Sequence, residues 1–158
     1  MHKSKIDLDL KKRKESIALL QVGLTSSLDL SLQVKQAHWN IKGMNFIAVH
    51  KYLDELHEAI SSYADLMAER ITALAGDAGG TLKQVAEETI LPAYPTQIKT
   101  IEEHIDALTT AIATLGGYMR TAIDTTANSE DSGTSDLFTE VSRGLDHNLW
   151  LLEAHIQG

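Results

Sequence analysis

The chain has 158 residues, 43% hydrophobic and 23% charged, with no cysteine; this suits one domain with a sizeable core and excludes disulfides and thiolate metal sites. The formal net charge of −8 is uneven: residues 1–14 carry six Lys or Arg against Asp7 and Asp9, and taking that +4 from −8 leaves −12 for the remainder. An acidic body attracts cations and repels nucleic acid, and a basic end does the reverse.

The opening MHKSKIDLDLKKRK is too charged for a signal peptide, and the apolar runs read as shorter than a bilayer span, so a cytoplasmic protein is expected. Residues 1–10 read as a short tail, and 11–158 as one helical domain. Ile17, Leu20, Leu24, Leu28 and Leu32 recur at helical spacing and predict a first helix over 11–39. NIKGMN breaks it, with Gly43 as the turn residue. Val49, Leu53, Leu56, Ile60, Leu66, Ile71 and Leu74 predict a second helix over 46–75, stopped by AGDAGG. Thr81 and Gln84 have capping-box spacing for a short helix over 82–88. Pro92 and Pro95 end that segment, and Thr96 is a candidate cap for a helix over 97–127 that contains Gly116 and Gly117. After the polar NSEDSGT, Leu137, Val141, Leu145, Leu149 and Leu152 predict a last helix over 135–156. Four long helices, without strand-like alternation, predict an all-α, four-helix bundle. The long second connection, with its own small helix, points to a ferritin-like crossover.

The second helix carries the chemistry. Taking His50 as zero, Asp54 lies at about 40°, Asp65 at about 60° and Glu69 at about 100° around the axis, one quadrant of the helix. His50 and Asp54 can share an ion, and so can Asp65 and Glu69. The two pairs are about 16 Å apart along the axis, while metal–ligand bonds are about 2.0–2.2 Å. One chain cannot bring all four to one centre. Two such helices packed antiparallel about a two-fold axis near residues 59–60 would set Asp54 of one subunit opposite Asp65 of the other, giving two equivalent shared sites. His38, ending the first helix, would complete each set. Two imidazoles and three carboxylates suit iron, manganese or zinc. Trp39 would stand beside the site as an oxidisable neighbour. Glu-x-x-His, the ligand pair of a di-iron centre inside one bundle, is missing from the sequence. Glu55, His57 and Glu58 read as surface charges, Trp39 and Trp150 most simply as packing residues, and His104, His147 and His155 show no partner pattern.

DLSLQVKQAHWNIKGMNFIAVHKYLDEL, followed by DLMAERI, AGGTLKQVAEETILPAYP and SRGLDHNLWLLEAHI, resembles the Dps family, the DNA-binding proteins from starved cells, or miniferritins. The similarity spans about residues 11–157. It implies a ferritin-like bundle with a short helix in the second connection, assembled as a hollow dodecamer of tetrahedral symmetry. It implies ferroxidase activity on Fe(II), preferably with hydrogen peroxide, and storage of the ferric mineral. By motif, the metal and catalytic residues are His38, His50 and Asp54 from one subunit and Asp65 and Glu69 from its partner. Iron is the implied metal, with zinc or another divalent ion an alternative at the same ligands. Acidic pores in the family place Asp136, with Asp131 and Glu140, as candidate pore residues.

The alternative is a DNA-condensing nucleoid protein with secondary metal binding. In the family, DNA binding usually depends on a mobile lysine-rich tail. Here Lys3 and Lys5 are offset by Asp7 and Asp9, Lys11–Lys14 fall on the first helical turns, and EAHIQG adds no basic extension. DNA binding is therefore expected to be weak at most.

Overall fold

The computed structural model describes residues 1–157, as five helices: α1 (Leu10–Asn40), α2 (Phe46–Ala73), α3 (Leu82–Glu88), α4 (Ile101–Asn128) and α5 (Ser132–Glu153). Each start has a local cause. The Asp9 carboxylate accepts the Lys12 N–H at 3.0 Å and opens α1. Thr81 caps α3 as its spacing predicts. α4 begins at Ile101 rather than 97, and its cap is Thr100 rather than Thr96. Thr100 Oγ1 accepts the Glu103 N–H, and Glu103 Oε2 accepts the N–H groups of Lys99 and Thr100. This reciprocal box satisfies donors that Thr96, without a partner three residues on, would leave open. α5 starts three residues earlier than predicted because Asp131 accepts the Thr134 N–H, and it stops at Glu153 rather than 156. Gly116 and Gly117 lie within an unbroken α4.

α1 and α2 form one antiparallel hairpin and α4 and α5 a second. A single parallel bridge joins Lys42, in the α1–α2 turn, to Thr100, just before α4. α2 and α4 therefore start at the same end of the bundle and run parallel. The α2–α4 connection, containing α3, must climb the whole bundle, which is the ferritin-like crossover expected from sequence. Glu15, Lys12 and Asp131 meet the opposite end: Lys12 pairs with Glu130, and Ser129 Oγ donates to Glu15 at 2.6 Å.

The core is continuous along the bundle and includes Leu20, Leu30, Leu56, Ile60, Leu108, Ile112, Phe138 and Leu145, all fully buried. Each contributes about 1.5–3 kcal/mol by leaving water. Small residues let α1 approach its neighbours: a Cβ on Gly23 would sit 2.7 Å from Met67 Sδ. By length and composition alone α1 could cross a bilayer, since its most apolar 18-residue window has mean hydropathy 1.3. This overturns the expectation that no run reaches that length. Yet 56% of that window is buried in the bundle, and α1 is a core helix. The nine residues before α1 are tethered: His2 N–H donates to Ala75 O at 3.1 Å, the amino terminus lies 3.7 Å from Asp77, and Ile6 and Leu8 pack against the core.

Candidate metal centre

The α1–α2 turn brings His38 and His50 together. Gly43 has φ +135° and Asn45 φ 68°, left-handed conformations that reverse the chain in five residues. His38 Nδ1 donates to the His50 carbonyl at 2.9 Å, and His50 Nδ1 donates to the His38 carbonyl at 2.9 Å. A carbonyl can only accept, so each neutral ring carries its proton on Nδ1 and keeps a lone pair on Nε2. The rings stack with centroids 3.7 Å apart and planes 21° apart. A ligating histidine needs this outer hydrogen bond, which fixes tautomer and ring orientation. Phe46 stacks on the outer side of His50, with centroids 4.9 Å apart.

Asp54 lies one turn beyond His50, with Oδ1 2.8 Å from Lys35 Nζ and 3.3 Å from His38 Nδ1. The hydrogen bond from Lys35 holds the Asp54 carboxyl below the usual carboxylate range, and the nearby imidazoles act the same way. The Lys35 ammonium also lies 5.9 Å from the centre of the Trp39 ring. His38, His50 and Asp54 thus form one cluster where α1 ends and α2 begins.

Asp65 and Glu69 lie three to four turns farther along the same stripe of α2, both exposed and without an ion pair among the described residues. Asp65 borders a cleft of about 350 Å³ walled by Leu24, Leu28, Ala64 and Ala68. Among the described residues of one chain, no three His, Asp or Glu side chains are placed to hold an ion. The five residues fall into two groups: two imidazoles and a carboxylate near the start of α2, and a carboxylate pair farther along it.

The expected pore residues divide. Asp136 and Glu140 are exposed on successive turns of α5. Asp131 is 1% exposed and cannot line a channel in this conformation. Its carboxylate accepts from Ser16 Oγ at 2.7 Å, Thr134 Oγ1 at 2.6 Å and Arg70 Nη2 at 2.9 Å, joining α1, α2 and α5. Burial pushes its pKa up, but these hydrogen bonds and the Arg70 charge outweigh burial and leave it lowered. Trp39 and Trp150 do not pack inside the subunit; they are 67% and 61% exposed.

Sequence reasoning missed three partners. Lys35 sits on Asp54. His104 is buried, with its Nδ1 against the Tyr94 hydroxyl, pinning the proline-flanked loop to α4. His57 is half-buried rather than a surface charge, with Nδ1 2.9 Å from Ser31 Oγ. His57 lies only about 20° from His50 on the helical wheel, a signal the sequence did contain.

A family model for the ferritin-like domain matches residues 17–158. The chain is 44% identical over 156 residues to the DNA protection during starvation protein of Agrobacterium fabrum, covering 99% of this chain and 96% of that protein. Among solved structures, Mycobacterium smegmatis Dps superposes with a TM-score of 0.94 at 30% identity, covering 100% of this chain and 90% of that one. Dps from Microbacterium arborescens, solved in a high iron form, gives a TM-score of 0.87 at 32% identity over 94% of this chain and 96% of that one.

Proposed function

The chain belongs to the Dps family of ferritin-like proteins, and from that membership we propose that it is a ferroxidase and iron store, with metal centres shared between two subunits of a hollow dodecamer. Membership supports a role in iron storage and protection broadly. The observation that carries the finer reading is the split ligand set. His38 and His50 have their Nδ1 protons committed to carbonyls and their Nε2 lone pairs free, Asp54 stands beside them, and Asp65 and Glu69, without an ion pair among the described residues, lie on the same face of α2. An antiparallel pairing of two α2 helices joins the halves twice, once on each side of the two-fold axis.

Iron is the substrate. The donor set also accepts zinc, but the high iron form of the Microbacterium relative favours iron. Two Fe(II) ions give two electrons to one hydrogen peroxide. Peroxide reduction takes up two protons, and hydrolysis of two Fe(III) ions to FeO(OH) releases six. The sum consumes two waters and leaves four protons. Because the peroxide receives both electrons, no hydroxyl radical is released. The protein contributes binding and positioning, while the electron transfer belongs to the metal. Lys35 favours the ionised form of Asp54, and its hydrogen bond to Oδ1 competes with a metal for that oxygen. The exposed carboxylates of Asp136 and Glu140 favour cation entry, as does the acidic body.

The test is substitution on both sides of the divide. His38→Ala and Asp65→Asn each remove one ligand from every shared centre. Both variants are expected to assemble like the unaltered protein and to lose fast peroxide-driven oxidation of Fe(II). Full activity in either variant would contradict the shared site.

DNA condensation is the second reading, and the tethered N-terminal residues bear on it. The backbone is held at His2, and Lys12 is paired with Glu130. Few basic side chains are then free to follow phosphates, so any DNA binding is weak and salt-sensitive. The cysteine-free, acidic chain fits a cytoplasmic setting.

A further inference from the structure

The α1–α2 hairpin makes the same contact twice. His50 Nδ1 donates to the His38 carbonyl at 2.9 Å. Seven residues on along α2, His57 Nδ1 lies 3.3 Å from the carbonyl of Ser31, which is seven residues back along α1. Seven residues make two turns on each antiparallel helix, so His57 stands to Ser31 as His50 stands to His38. A carbonyl only accepts, so the His57 proton sits on Nδ1. The hydroxyls agree with that tautomer. Ser31 Oγ, 2.9 Å from Nδ1, accepts there and donates to Ser61 Oγ at 3.2 Å, and Ser61 Oγ donates to the His57 carbonyl at 2.8 Å. The ring of contacts pins the imidazole in one orientation.

The pin leaves Nε2 over, with its lone pair and, among the described residues, no hydrogen-bond partner. His57 is half-buried and lies at about −20° on the wheel that puts His50 at zero, beside the stripe that carries Asp54 and Asp65. Asp54, at about 40°, comes three residues before His57, and helix neighbours at that spacing can share an ion. Asp54 also comes four residues after His50, so this carboxylate stands between two imidazoles, with Lys35 on Oδ1. A neutral imidazole whose other nitrogen is tied to a carbonyl is the arrangement of a metal-ligating histidine.

We propose that His57 is a further metal ligand, which together with Asp54 holds a divalent cation beside the one at His50. Imidazole and carboxylate suit Fe(II), and equally Co(II) as a probe. The proposal rests on the shared-site reading above. A two-fold axis near residues 59–60 sets Asp65 of the partner subunit opposite Asp54, and that carboxylate supplies the third protein ligand. The midpoints of the pairs His50–Asp54 and Asp54–His57 are about 5 Å apart along α2. Two Fe(II) ions held either side of Asp54 suit a reaction in which one peroxide takes an electron from each.

The experiment uses the assembled full-length protein, titrated anaerobically with Co(II) and followed by its visible absorption. His57→Asn keeps an N–H to bond Ser31 but removes Nε2. Ser31→Ala removes the hydroxyl, leaves the carbonyl, and disturbs the pin without touching Nε2. Size exclusion confirms the particle in each case. His57→Asn is expected to bind about one Co(II) per subunit fewer than the unaltered protein, and Ser31→Ala to keep the full number. An equal number in His57→Asn and the unaltered protein would overturn the proposal. So would an equal loss in both variants, since that marks the pin and not the ligand. Asp65→Asn separates the proposal from the reading beneath it. If Asp65→Asn lowers the number and His57→Asn does not, only the ligand role of His57 falls. If His57→Asn alone lowers it, the shared centre falls and the ligand role stands. An unaltered protein that binds no Co(II) overturns both.

Discussion

Two carbonyls hold His38 and His50 in place. His38 and His50 each spend Nδ1 on the other's backbone, so their orientation is set by the α1–α2 turn before any ion arrives. A change in the turn should therefore reach the site without touching a ligand. Gly43→Val puts a β-branched residue at φ +135°, a conformation that L side chains rarely adopt. It is expected to weaken Fe(II) binding by about 10–100-fold, the usual cost of disturbing an outer partner, with helix content by circular dichroism unchanged. Unchanged affinity from anaerobic titration would show that the turn does not set the ligands. That His50, Asp54, Asp65 and Glu69 share one face of α2 was legible in the sequence, because helical periodicity fixes relative angles along one helix. Lys35 was not: its contact with Asp54 joins residues 19 positions apart on two helices, and periodicity along one helix says nothing about the rotation of another.

Helix boundaries follow side-chain hydrogen bonds more closely than hydrophobic pattern. Thr96 and Thr100 offer the same hydroxyl, but only Thr100 has Glu103 three residues on, and α4 starts there. Two glycines make the point about packing. A Cβ on Gly117, inside α4, would meet nothing within 4 Å, whereas one on Gly144, inside α5, would lie 2.0 Å from Tyr63 Oη and 2.6 Å from Cζ. Gly117→Ala is expected to stabilise the protein by about 0.5–1 kcal/mol. Gly144→Ala must displace the Tyr63 ring and is expected to destabilise it by about 1–3 kcal/mol. Thermal unfolding of the two variants under one set of conditions checks the opposite signs. Sequence alone cannot order these glycines, since both interrupt similar helical patterns and differ only in what lies across the bundle.

At the scale of the whole molecule, the far end of the bundle is held by Asp131, which binds α1 through Ser16 and α2 through Arg70. Its pKa is held below the usual carboxylate value in the folded chain by these hydrogen bonds and the Arg70 charge. A depressed carboxylate contributes stability that is fully present above the unfolded value and is lost as pH falls through the folded one. Asp131→Ala leaves Arg70 without its carboxylate partner and is expected to cost about 3–5 kcal/mol, with less of the deficit remaining in acid. Denaturant unfolding at neutral and acid pH measures this; an equal deficit at both would contradict the linkage. From sequence, Asp131 reads as a candidate pore residue, because a short polar loop says nothing of which carboxylates turn inward. The crossover topology, in contrast, was legible, because the length of the α2–α4 connection and its two prolines allow few other routes.

The central claim is that Fe(II) is oxidised at centres completed by a second subunit and retained inside the assembled particle. The most direct measurement is anaerobic loading of the purified protein with Fe(II), followed by half a molar equivalent of hydrogen peroxide. Ferric absorbance is followed in time, and the product is separated by size exclusion with iron detection. Rapid oxidation, with soluble iron eluting in a particle of about twelve subunits, is the predicted result. Slow oxidation with precipitated iron would contradict it.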